Sequence, residues 1–223
     1  MAVLILARGE SLSKINELKD KPIELCILIN RFNLELQDKN LFDFLKDKEI
    51  IHIVSNQHNP SCILTERNYK KLQVKYVVVD KTKKQVEECG KLTDFMSDHP
   101  AKLEIENYNM GIEVKYMPED YKEIDKCSIT GHGYRSTGLQ GLIYATHYLG
   151  YKDVYCIGVD FHDTPYFVTD PTRGKVWQDH RKERVKDEMK KGMVDWTSRT
   201  PDVKYHILTT SPFKFTAPNV EFI

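Results

Sequence analysis

The stretch Ser136–His162, STGLQGLIYATHYLGYKDVYCIGVDFH, restricts the fold of this chain more than any other. Leu139, Leu142, Ile143, Thr146 and Leu149 return at steps of three and four, which sets them on one helical face, and Gly150 stands where a helix takes its C-terminal cap. Asp153–Ile157 follows as a short apolar strand. Strands of this kind, alternating with helices, form parallel sheets buried on both faces, so a ligand must sit beyond their carboxyl ends. Gly158, Asp160, His162 and Tyr166 lie there. The stretch therefore predicts an α/β chain with its polar chemistry just past the central strand.

The remaining chain supplies the other strands. Ala2–Leu6 is the first, and Ala7-Arg8-Gly9-Glu10-Ser11 leads into a helix beginning near Leu12. Gly9 permits a tight turn, Ser11 is placed to cap the helix, and free N–H groups at a helix start suit a phosphate. The same residues also make an ordinary strand-to-helix turn. Pro22 ends that helix, and Glu24–Ile29 is a second strand closing on Asn30, whose amide can both donate and accept. A short helix over Asn40–Lys46 precedes a strand at Ile50–Val54 and a polar loop containing Asn56 and Asn59-Pro60. A helix over Ile63–Leu72 and a β-branched strand at Val74–Val79 come next. Periodicity weakens from Phe95 to Asp125, and Asn107–Pro118, rich in Tyr and Asn, is the place for an acceptor-recognising insertion. Asp163–Val176 reads as a long loop with Pro165, Pro171 and Gly174, making 163–180 a candidate lid. Gln178–Trp196 is a charged helix with sparse apolar positions, Val203–Leu208 a last strand, and Ser211–Ile223 an irregular tail. The 223 residues form one domain on this reading.

Lys plus Arg and Asp plus Glu number 33 each, so no global charge favours nucleic acid or membrane. The five cysteines show no metal-ligand spacing, and Cys26 and Cys156 sit inside apolar strands, as expected of reduced thiols in a cytoplasmic protein. MAVLILARG lacks a basic leader region and reads as a strand, and no apolar run approaches the length of a transmembrane segment. His52, His147 and His206 fall in strands or a helix and read as structural or surface residues. His132, in a glycine-flanked loop, is a candidate for substrate contact. No His-x-x-x-His or Asp-x-Asp arrangement occurs, so neither a metal nor a bound cofactor is expected.

Taken together, Ser136–Gly138 opening a helix, the turn Leu149-Gly150-Tyr151-Lys152 and the strand end Gly158-Val159-Asp160-Phe161 resemble the nucleotide-binding segment of bacterial sialyltransferases of glycosyltransferase family 42. Ser211-Pro212-Phe213 and Ala217-Pro218-Asn219 resemble that family's closing segment. The resemblance implies a Rossmann-like, mostly parallel sheet flanked by helices, a glycosyltransferase A-like variant of the sialyltransferase type, with a lid. It also implies an inverting, metal-independent enzyme whose co-substrate is a nucleotide sugar, by family default CMP-sialic acid with a glycan acceptor. Arg8 (where the family has an Asn), Gly9, Ser11, Asn30, Asn56, Thr137, Gly138 and Asp160 then bind the donor, with Asn59 an alternative to Asn56. His162, where the family has a Tyr, and Tyr166 would stabilise the leaving phosphate. His180 would be the general base, since imidazole titrates near neutrality. Without the resemblance, His180 reads as an exposed histidine at a helix start.

Other readings remain open at this level. Arg181, Lys182, Arg184, Lys186, Lys190 and Lys191 could follow a DNA backbone, as in phage-type enzymes that glycosylate a hydroxymethylated base, although Glu183, Asp187 and Glu188 interrupt them. A pterin pyrophosphokinase using magnesium and ATP and a non-catalytic nucleotide-sugar binder are further rivals. Oligomeric state is not legible.

Overall fold

The strands of the protein are β1 (Ala2–Leu6), β2 (Ile23–Ile29), β3 (Glu49–Val54), β4 (Val74–Val79), β5 (Glu113–Tyr116), β6 (Asp153–Ile157), β7 (Lys204–Leu208) and β8 (Val220–Phe222). In the computed structural model they form one sheet in the order β5-β4-β3-β2-β1-β6-β7-β8, and every pairing is parallel. Residues 1–30, 32–54, 64–85, 111–126, 128, 136–161, 163, 167 and 182–223 are the ones the structure describes. The sheet grows from β1 outward to β5, after which the chain returns to the other side of β1 for β6, β7 and β8. The expected α/β class with a parallel sheet is what the chain adopts.

Alternating side chains of the strands fill two separate apolar layers. On one face Leu4, Leu6, Cys26 and Leu28 meet Leu12, Ile15 and Leu18 of the segment after β1, and Leu41 and Leu45 of α1 (Lys39–Leu45). On the other, Val3, Ile5, Leu25 and Ile27 meet Leu139, Leu142 and Ile143 of α4 (Thr137–Ile143) and Met189, Met193 and Trp196 of α5 (Lys182–Arg199). All five residues of β1 are 0% exposed, each contributing on the order of 1.5 to 3 kcal/mol if it is a large aliphatic. Two shorter helices are α2 (Glu66–Lys71) and α3 (Tyr121–Lys126). Among the described residues no helix is long and apolar enough to cross a membrane.

Several elements differ from expectation for identifiable reasons. The helix expected from Leu12 begins at Glu10 and is a 3-10 helix, Glu10–Leu18. Its buried Leu12, Ile15 and Leu18 recur strictly every third residue, a period that suits three residues per turn and not 3.6. The central helix is α-helical only to Ile143 and continues as a π-helix, Tyr144–Tyr148, before Gly150 ends it at φ +75° as the sequence suggested. The helix expected over Ile63–Leu72 starts only at Glu66, because the Thr65 hydroxyl caps it by accepting from Asn68 N–H. Helix α5 runs to Arg199, past the expected Trp196. Its few apolar residues suffice because Met189, Met193 and Trp196, at steps of four and three, are all buried.

Two strands fall where none was expected. Strand β5 lies in the weakly periodic Asn107–Pro118 stretch; it is a four-residue edge whose Glu113 and Lys115 are the charged positions of a solvated strand. Strand β8 falls in the tail read as irregular, and has only three residues. Its hold comes from Asn219, whose side-chain amide donates to the carbonyls of Thr197, Thr200 and Val203, each at 3.0 Å, closing the end of α5. Replacing Asn219 with Ala should destabilise the protein by about 1 to 3 kcal/mol, since three partly buried carbonyls each lose a hydrogen bond and only those of Thr197 and Thr200 keep a backbone donor. Urea unfolding of N219A against the wild type checks this, and an unchanged midpoint would show that water replaces the amide without cost.

Candidate functional site

Strand order reverses between β1 and β6, and in open parallel sheets the crevice beyond that point is where a ligand is held. Here the two strand exits are stitched together. Ala7 N–H donates to Ile157 C=O at 2.9 Å and Gly9 N–H to Gly158 C=O at 2.8 Å, extending the ladder past both strands. Ser11 N–H donates to Asp160 Oδ2 at 2.8 Å, and Ser11 Oγ accepts from Gly158 N–H at 2.8 Å. Ser11 is therefore not the helix cap expected of it. Gly9 holds that position, and the hydroxyl serves the neighbouring strand's loop instead. Asp160 Oδ1 accepts from the Thr209 hydroxyl at 2.7 Å and from Thr210 N–H at 3.2 Å, so one buried carboxylate joins the exits of β1, β6 and β7.

That junction leaves no room for side chains at its two glycines. A Cβ on Gly9 would lie 2.2 Å from Asp160 Oδ2, and one on Gly158 would lie 2.2 Å from Ala7 C=O in a backbone already at φ +72°. Gly158→Ala should cost at least about 2 kcal/mol, from left-handed strain plus a backbone clash. Its thermal midpoint should fall by several degrees or more, and a G158A protein of wild-type stability would show that the two loops can separate freely.

Arg8 stands beside this junction with its charge met inside the fold. Its Nε donates to Glu35 Oε1 at 2.5 Å, Arg8 is 6% exposed and Glu35 0%. Phe167 N–H donates to the Arg8 carbonyl at 2.8 Å, bringing the chain after β6 across the end of β1. The guanidinium of Arg8, a donor-binding residue on the resemblance, is a partner in a buried ion pair, whose disruption from one side leaves an uncompensated charge. Glu35, in a single 3-10 turn, Glu35–Gln37, carried no sequence signal.

Asn30 ends β2 at φ +57°, a conformation that asparagine tolerates better than most residues. Its N–H donates to Ile53 C=O at 2.8 Å, and its carbonyl lies 2.6 Å from His52 Nε2. His52 Nδ1 is 3.0 Å from the Tyr69 hydroxyl. The carbonyl can only accept, so Nε2 carries the hydrogen and Nδ1 accepts from Tyr69. His52 was expected to be structural, and it is the prop that sets the Asn30 backbone. Burial pushes its pKa down to about 4, against the opposing bond to Asn30. Unfolded, the imidazole binds a proton as pH falls through about 6.5; folded, it resists until about 4. Stability from this source is therefore intact above about 6.5 and lost on the way down, by roughly 3 kcal/mol in all. Urea unfolding at a series of pH values should show that loss in the wild type and a shallower one in His52→Gln; equal slopes would remove His52 as the cause.

Thr137 and Gly138 open α4 above the β1–β2 side of the sheet. An added Cβ on neighbouring Gly141 would lie 2.7 Å from the Ile29 side chain. Gly138 is buried, with Met189 of α5 in ordinary van der Waals range of the position its Cβ would take. Gly9, Ser11 and Asp160 are thus brought into one junction, Arg8 stands next to it, and Asn30 ends the neighbouring strand. Asn56, Asn59, His132, His162, Tyr166, His180 and most of 163–180 lie outside the described residues. Asp163 is described, and it gathers Ser211, Lys186 and Lys190 around its carboxylate.

No family model matches the chain, and no curated protein matches its sequence. Solved structures do match in fold. A variant of the sialyltransferase CST-II in complex with CMP aligns over 100% of this chain and 89% of its own, with a TM-score of 0.61 and 16% identity. The sialyltransferase CST-II in complex with a trisaccharide acceptor and CMP aligns over the same shares, with a TM-score of 0.54 and 17% identity.

Proposed function

We propose that this protein is a glycosyltransferase that moves a sugar from a nucleotide-activated donor to an acceptor hydroxyl, with CMP-sialic acid and a glycan as leading donor and acceptor. The observation that carries the reading is the fold likeness along the whole chain to sialyltransferase structures that hold CMP and a trisaccharide acceptor. Fold alone does not fix function, so the strand-end chemistry must also suit it. Asn30, Thr137 and Gly138 lie at the carboxyl edge of the sheet, where Asn30's amide suits a base edge or a ribose hydroxyl and the start of α4 offers backbone N–H groups.

In this mechanism the acceptor hydroxyl gives its proton to His180 as its oxygen attacks the anomeric carbon. The bond from that carbon to the phosphate oxygen breaks, its electron pair stays on the phosphate, and the configuration inverts. His162 and Tyr166 donate hydrogen bonds to the departing phosphate. No divalent ion takes part. Lys186 and Lys190, two of the basic residues that would have followed a DNA backbone, turn inward to Asp163 instead, which favours a glycan over DNA.

His180→Ala should keep donor affinity and lower turnover by roughly a hundred- to ten-thousand-fold, the usual share of a positioned base. Wild-type turnover in a folded H180A protein, saturated with both substrates, would return His180 to an exposed surface role. Turnover should also be the same in chelator as in magnesium or manganese; activity abolished by chelator and restored by metal would replace this reading with a metal-dependent one. A panel of nucleotides and nucleotide sugars tested by thermal shift identifies the donor, because a ligand raises the melting temperature according to its occupancy.

A further inference from the structure

Lys186 and Lys190 stand four residues apart on α5, one above the other on the same side. Lysine heads normally reach for water, yet these side chains are only 19% and 23% exposed. Both turn to Asp163, with Lys190 Nζ 3.0 Å from its carboxylate and Lys186 Nζ 3.8 Å away. The Ser211 hydroxyl donates to the same carboxylate at 2.5 Å. Burial raises the Asp163 pKa, but the bonds from Ser211 and Lys190 and the charges of both lysines outweigh it, and the carboxyl sits below its usual range.

Among the described residues, the sheltered charges at this place do not balance. Two ammonium groups share one sheltered carboxylate. Glu183 lies 3.2 Å from Lys186, but it is 83% exposed and its contribution is screened by water. Asp187 is exposed, and Glu188, two positions beyond Lys186, falls on the far side of the helix at about 100° per residue. Asp160 is committed to Ser11, Thr209 and Thr210. The Phe213 ring, 5.1 Å from Lys190 Nζ, shelters a cation without neutralising it. An excess positive charge held out of water calls for an anion.

Its position says where that anion arrives. Asp163 N–H donates to Asp160 C=O at 2.9 Å, so Asp163 closes the turn leaving β6, and Ser211 follows β7. This place is at the carboxyl edge of the sheet, the ligand side of this architecture. We propose that Lys186 and Lys190 form a phosphate-binding pair, kept together against their mutual repulsion by Asp163 and Ser211, that receives the phosphate of the nucleotide donor. As the sugar's bond to that phosphate breaks, the charge gathering on its oxygens meets two cations already in place, the kind of preorganised stabilisation that needs no metal. The anion site rests on the geometry of α5 and the β6 and β7 exits; only the identity of its ligand as a nucleotide rests on the glycosyltransferase reading.

Titration calorimetry with three probes, CMP, inorganic phosphate and cytidine, tests the pair in the wild type, Lys186→Gln, Lys190→Gln and Asp163→Asn. Each lysine variant should weaken CMP and phosphate by about tenfold or more, the usual scale for losing a charged hydrogen bond, and leave cytidine unchanged. Asp163→Asn should lower the melting temperature while binding phosphate no more weakly than the wild type, since it removes a competing negative charge. A purely structural clamp gives the opposite pattern, with all three variants less stable and anion affinity untouched. Folded lysine variants that bind CMP and phosphate within twofold of the wild type overturn the proposal, as does a wild type that binds neither. Lysine-dependent phosphate binding without binding of any nucleotide keeps the anion site and removes the glycosyltransferase reading; lysine-independent CMP binding does the reverse.

Discussion

The Asp160 carboxylate is the interaction on which the arrangement of this protein depends. It is buried and accepts from Ser11 N–H, the Thr209 hydroxyl and Thr210 N–H, so three strands separated widely in sequence end in register at one point. The cost of burying a carboxylate is offset only when donors of this kind surround it. Gly9 and Gly158 follow from the same constraint, because any side chain at either would displace an oxygen of the junction. With the centre closed in this way, the polar groups at the neighbouring strand ends are Asn30 on one side and Asp163 with its lysines on the other.

Much of the frame was legible because it rests on local pattern. The apolar runs of β1, β2, β3, β4, β6 and β7 announce buried parallel strands, and Leu139 to Leu149 show the helix that covers them. The missed elements are those whose stability is not local. Strand β8 exists because Asn219 reaches three carbonyls at the end of α5, and because Phe222 packs edge-on against Phe215 at a centroid distance of 5.4 Å. Neither contact leaves a period in the sequence. The 3-10 helix was legible in principle, since Leu12, Ile15 and Leu18 repeat at exact threes, but a helix start at Leu12 hides that period.

Candidate site residues divide along the same line. In the sequence Gly9 stands out as a tight turn, Ser11 as a helix cap and Asp160 as a residue past a strand end, and the structure brings all three together at one junction. Glu35, the partner of Arg8, is 27 positions away and sits in no recognisable motif, so only the folded chain reveals that the guanidinium is paired. Lys186 and Lys190 were visible as basic residues on a helix, where a solvated or nucleic-acid-facing surface is the natural reading. What reverses it is Asp163, a single residue just beyond the central strand, which draws them inward.

The central position of β1 also has a bearing on how the chain reaches this structure. Its five residues, near the start of the chain, pair with β2 within some twenty positions, but their other neighbour is β6, about 150 positions later. Contacts so distant in sequence are formed late, after a long loop has closed, and they slow folding. A chain emerging from the ribosome would therefore hold five of the eight strands, β1 to β5, with one flank of its most apolar strand open until Asp153–Ile157 arrives. During synthesis that flank keeps its backbone groups unpaired and its apolar faces half covered, and the arrival of β6 is the step that closes it.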